Sequence, residues 1–161
     1  MKYFDEYFHK GREEPAEPRE AVIKGRFEIS KDLTDDDRMQ AFGWANIAVE
    51  ENGNQIDDYQ NDLIDPEDLE AAAYDFVKFF RDAGEMHQRN GVGTLIESVF
   101  FSKAKQKALG IPEGTLPEGW FVGFQVTDPD VWKKVKTGEY QMFSIEGTAE
   151  RVDVGDVSRT R

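Results

Sequence analysis

Two Asp-Pro pairs constrain the fold of this chain more than any other feature. In Asp65-Pro66 and Asp128-Pro129, a good N-cap precedes the residue best tolerated at the first helical position. After the first pair, Glu67 and Asp68 suit the positive end of a helix dipole. Leu69, Ala72, Ala73, Phe76 and Phe80 then fall on one face, and Gly84 supplies the expected end. After the second pair, VWKKVKT places its lysines near the negative end, with Gly138 just beyond. A third, shorter amphipathic run, KAKQKALG, is closed by Gly110 and Pro112.

Around these helices the apolar residues recur at period two, as in half-buried strands. VIKGRFEI, MQAFGWANIAVE, TLIESVFFS, GWFVGFQVT and GEYQMFSIEGTAE all read this way. TLIESVFFS is apolar on both faces, which predicts a strand interior to a sheet. In GWFVGFQVT, Trp120, Val122, Phe124 and Val126 share a face, while Gly123 permits close approach on the other. Asn52-Gly53 is a turn suited to joining antiparallel strands, and LTDDD is a polar turn. Trp44, Trp120 and Trp132 sit on apolar faces and read as core. Strands outnumber helices and the joins are short. The expected class is therefore α+β: a mainly antiparallel curved sheet or barrel with two or three helices packed outside.

The chain's 161 residues fit one domain. Residues 1–19, with Pro15 and Pro18, read as a charged arm. The domain is expected over 20–157, with a tail at 158–161. The N-terminus lacks an apolar core of signal-peptide length and no run of 18 apolar residues occurs, so the chain reads as soluble, without a visible export signal and without a membrane partner.

Several chemistries drop out on composition. A formal charge of −13 disfavours a nucleic-acid backbone and tolerates basic partners. With no cysteine there are no disulfides, thiolate metal sites or cysteine nucleophiles. Asp57, Asp58, Asp62 and Asp65 are dense in carboxylate but lack the glycine and terminal glutamate of a calcium loop, and read as a solvated acidic loop. No phosphate loop, HExxH zinc motif or paired-carboxylate signature is present, so no metal or cofactor is expected.

Ser144 lies between the apolar residues Phe143 and Ile145 of the last strand pattern. A serine nucleophile needs a base, and the histidines are His9 and His87. His87 falls in the turn-containing segment EMHQRNGVG, and an imidazole with an ordinary pKa near 6.5 suits that task. Spacing alone leaves open a turn histidine and an unremarkable strand serine.

From about Phe42 to Val152 the chain resembles the XkdF-type phage serine proteases, relatives of the prohead (capsid maturation) proteases that share a fold with herpesvirus assemblins. AGEMH, GTLIES, GWFVGFQVTD and GEYQMFSIEG carry the resemblance. It implies an assemblin-like fold, His87 as base and Ser144 as nucleophile. It also implies scaffold and major capsid proteins as substrates, with self-cleavage or self-association in view. The place of action would be an assembling procapsid in the bacterial cytoplasm. Glu146 departs from the glycine that many relatives carry after the isoleucine, which bears on access to the serine.

Assemblins orient the imidazole with a second histidine, for which His9 in the arm is poorly placed. Other prohead proteases use an acid, and Glu97, mid-strand after the His87 turn, is the first choice. Glu146 would lie roughly 6.6 Å from Ser144 along the strand, and Glu150 about 20 Å away if the strand runs straight. Oxyanion donors would be backbone amides near Ser144, Arg151 or Arg89. The competing reading is a non-catalytic module that keeps the fold and binds capsid or scaffold segments.

Overall fold

The computed structural model describes residues 29–30, 38–56, 63–86 and 88–143. The expected N-terminal arm, the C-terminal tail and all of VIKGRFEI before Ile29 lie outside them. Asp57, Asp58 and Asp62 do too, whereas Asp65 caps a helix.

Four strands form one antiparallel sheet: β1 (Gln40–Val49), β2 (Asp82–Glu85), β3 (Arg89–Phe101) and β4 (Glu118–Val126). Their order is β1-β4-β3-β2, but β2 pairs only with Arg89–Thr94 of β3. Beyond Thr94 the TLIESVFFS stretch is flanked by β4 alone among the described strands, so the expected interior strand is realised only at its start. Three helices accompany them among the described residues: α1 (Pro66–Phe79), α2 (Lys103–Ala108) and α3 (Pro129–Thr137). The architecture is the expected α+β class, a curled antiparallel sheet with helices packed on it.

Period-two alternation sorts the sheet into two faces. On the inner face, Ala45, Phe100, Trp120, Val122 and Phe124 bury against Leu69 and Ala73 of α1, with Phe76 packed at the margin. Farther along the same face, Ala41, Val92 and Val126 bury against Val131 and Trp132 of α3. The Trp120 indole N–H donates to Ser98 Oγ at 2.9 Å, which satisfies its one polar atom inside this core. Gln106 of α2 is buried but not stranded, because its amide donates to the carbonyls of Phe101 and Pro117, both at 3.1 Å.

The outer face carries Phe42, Trp44, Phe121, Val99 and Glu97. Here Trp44 corrects the expectation that all three tryptophans are core. Trp120 and Trp132 are buried, but Trp44 is half-buried outside, edge-on to Phe101 and Phe121. Gly123 performs the predicted role, admitting the Phe42 ring on that face.

The caps are where the Asp-Pro pairs place them. Asp65 Oδ1 accepts from Glu67 N at 2.8 Å, and Asp128 Oδ1 accepts from Asp130 N and Val131 N at 2.9 and 3.1 Å. Gly138 closes α3 in the left-handed region at φ 75°. The end of α1 differs from expectation. It stops at Phe79, and Gly84 lies inside β2. The N–H groups of Phe80 and Arg81 both donate back to Phe76 O, and Arg81 turns the chain at φ 61°. The Arg81 carbonyl then accepts from Leu95 N at 2.8 Å, so sheet pairing begins where helical periodicity would have continued. The Asn52-Gly53 turn forms, but the antiparallel pairing it makes is a single bridge, Val49 with Gln55.

Candidate active site

His87 lies outside the described residues, between the turn residues Met86 and Gln88 that join β2 to β3. Ser144 also lies outside them, directly after the last described residue, Phe143. His9, Glu146, Glu150 and Arg151 share that status. The chain segments leading to His87 and Ser144 are described.

Residues 138–141 correct the expectation of a strand starting at Gly138. They are the end of α3 and a loop, because the N–H groups of Glu139 and Tyr140 fold back onto the Lys134 carbonyl at 2.9 and 3.1 Å. Strand-like pairing starts only at the bridge residue Met142. Gln141 O accepts from Ile29 N at 2.6 Å, and the Phe143 ring packs 5.5 Å from that of Phe124. The approach to Ser144 is thus fixed to the inner face of the sheet.

Glu85, the last residue of β2, joins this approach to the hairpin. Its Oε1 accepts from the Tyr140 hydroxyl and from Lys134 Nζ, each at 2.8 Å. Its Oε2 accepts from Arg89 Nη2 at 2.7 Å and Nε at 3.1 Å. Arg89 Nη1 goes on to Asp128 Oδ2 at 2.9 Å, and Lys134 Nζ also donates to the Tyr140 oxygen at 3.1 Å. The hydrogen bond from Lys134, followed by those from Tyr140 and Arg89, holds the Glu85 carboxyl down at about 2. The same contacts hold Lys134 above the usual lysine range. Asp128 is lowered chiefly by the Val131 N–H at the helix cap. Arg89, weighed as an oxyanion donor, already directs Nε, Nη1 and Nη2 to these two carboxylates.

Glu97 lies mid-strand, as expected. It is exposed on the outer face opposite Gly123, beside a register shift between Leu95 and Glu97. Among the described residues, no hydrogen bond or ion pair engages its carboxylate. No group of three His, Asp or Glu side chains suited to a metal occurs among the described residues.

A family model described as "Putative phage serine protease XkdF" matches residues 31–153. The chain belongs to this family. The match to the XkdF-type phage serine proteases runs through both His87 and Ser144. The chain is also 30% identical over 97 residues to "Uncharacterized protein YqbD" of Bacillus subtilis (strain 168), an overlap of 60% of this chain and 29% of that protein's length. The chain therefore spans under a third of that relative. No solved structure matches.

Within this XkdF-type chain, the residues that sequence reasoning missed are Glu85, Lys134 and Tyr140. Glu85 is the glutamate of AGEMH and Tyr140 the tyrosine of GEYQMFSIEG, so both stood inside the stretches that carry the resemblance. Their pairing links residues 55 apart, which no local pattern reveals.

Proposed function

We propose that this chain is a serine endopeptidase in which Ser144 is the nucleophile and His87 the general base. The observation that carries this reading is the family match spanning both residues. The anchoring of the chain on either side, at Glu85 and Arg89 and at Tyr140 and Phe143, supports it. In the reaction, Ser144 Oγ attacks a peptide carbonyl carbon while His87 takes the hydroxyl proton. The oxyanion collapses, the C–N bond breaks, and His87 returns the proton to the leaving amine. Water, deprotonated by the same imidazole, then hydrolyses the acyl-enzyme ester and regenerates Ser144. Glu97, the acid expected to orient His87, stands eight residues along β3 from Arg89, roughly 26 Å at the usual rise, and so is not placed to hold the imidazole. The substrates are scaffold and major capsid proteins, processed inside an assembling procapsid in the bacterial cytoplasm.

The test is intact mass after fluorophosphonate treatment of the parent, Ser144→Ala and His87→Ala proteins. One adduct on the parent, with fluoride displaced, and none on either variant is the expected result. A Ser144→Ala protein that cleaves scaffold as fast as the parent would overturn the mechanism.

A second reading is a non-catalytic module on the same fold that binds head proteins. The apolar outer face favours it, since Ile96 and Val99 are 43% and 39% exposed there. That reading predicts stoichiometric scaffold binding that Ser144→Ala leaves unchanged, and no adduct on the parent.

A further inference from the structure

We propose that Glu85 is a positioning residue, holding the hairpin that carries His87 against the segment that leads into Ser144 by taking Tyr140 and Lys134 on one oxygen and Arg89 on the other. This rests on the reading of His87 and Ser144 given above. Glu85 is two residues before His87, and Tyr140 is four before Ser144. A chain advances at most about 3.6 Å per residue, so the two Cα atoms lie within roughly 7 Å of that of Glu85 and roughly 14 Å of that of Tyr140, respectively. One carboxylate therefore tethers both reactive segments.

The shape of the contact separates it from an ordinary surface ion pair, which fixes little and is screened by salt. The Glu85 side chain is 15% exposed, while its partners Arg89 and Lys134 are 51% and 36% exposed. The acceptor is enclosed and its donors reach in from three directions: the hairpin, α3 and the loop beyond α3. All four bonds need an oxygen acceptor. A glutamine would turn an NH2 group toward one of the two donor sets, so one side of the clamp would open whichever way the amide faced. Tyr140 adds direction, because it packs against the buried cluster that includes Val126, Val131 and Trp132, which limits where its hydroxyl can point.

The experiment compares Glu85→Gln and Tyr140→Phe with the parent and Ser144→Ala. Fluorophosphonate labelling is read as a rate constant and a final amplitude, and hydrogen exchange is read over residues 82–94 and 138–143. Displacement of reacting groups slows the step, whereas partial unfolding lowers the amplitude. The expected result is full amplitude, with the rate lowered about tenfold to hundredfold in Glu85→Gln and several-fold in Tyr140→Phe. Exchange should quicken in both segments together. Parent-like rates in both variants would overturn the proposal, as would a loss confined to amplitude. If the parent shows no Ser144-dependent label, the functional reading falls instead. Exchange then decides the clamp alone, and unchanged protection over 138–143 in Glu85→Gln removes it.

Discussion

The ring of Phe42 lies 2.5 Å from the point where a Cβ on Gly123 would stand. β1 and β4 can therefore carry a large aromatic at this register only because β4 offers no side chain there. Gly119, four residues earlier on β4, is closer to backbone: its added Cβ would meet Asn46 O at 2.6 Å and Ile47 Cα at 2.9 Å. Alanine at either site destabilises, by about 1–3 kcal/mol as for other overpacked positions. Gly119→Ala should be the costlier of the two, since a ring on the outer face can swing aside and a paired strand cannot. Urea midpoints of the two variants check the order.

Leu69 is 1% exposed between α1 and the sheet. Leu69→Ala should cost about 2–5 kcal/mol, in the range of large-to-small changes that leave a cavity. Chemical denaturation with an unchanged m-value would verify that the loss is in the folded core.

The Glu85 carboxyl ionises at about 2 in the fold, against 4.5 for the free group. The sign follows from proton uptake: below 4.5 the unfolded chain binds a proton that the folded chain refuses. The contribution of Glu85 is thus complete above that value and declines as pH falls toward 2. Between about pH 6 and pH 3, the parent's denaturation midpoint should fall more steeply than that of Glu85→Gln, which lacks this proton. Parallel curves would show that the clamp does not perturb the carboxylate. The Lys134 side of the pair behaves oppositely, persisting through neutral pH and weakening only in strong alkali.

Glu97 is exposed and unengaged, so Glu97→Gln should leave stability within about 0.5 kcal/mol. Eight residues along β3 from Arg89, it should also leave fluorophosphonate labelling at the parent rate, and a slowing of about tenfold would restore it as the acid that orients the His87 imidazole. A parent-like labelling rate would reassign the orienting role to Glu146, Glu150 or another acid.

Much of this fold was legible because its signals are local. Asp65, Asp128 and Gly138 mark helix ends through bonds made within a few residues, and the alternation in GWFVGFQVT reports its two faces directly. Expectation failed where a distant partner decides. Helical spacing ran on toward Gly84, but pairing of Arg81 with Leu95 ended the helix early. Trp44 sits in a strand whose two faces are both apolar, and alternation alone does not say which of them the helices cover. For the candidate site, residue types and spacing left the matter open, and it was the family resemblance carried by AGEMH and GEYQMFSIEG that pointed to His87 and Ser144. The acceptor that joins those stretches depends on a contact between Glu85 and Tyr140, and periodicity carries no information about that distance.

The placement of β4 between β1 and β3 sets the order of assembly. Its neighbours are both synthesised earlier, and neither has its central partner until residues 118–126 leave the ribosome. Until then the described residues supply a hairpin, two helices and a first strand without its β4 partner. Such non-local pairing folds slowly relative to helical contacts. The segment leading to Ser144 follows β4 in the chain, so the candidate nucleophile is made only after the last strand of the described sheet. On the proposed reading of Ser144, a nascent chain of this design would acquire its nucleophile only once its own sheet can close.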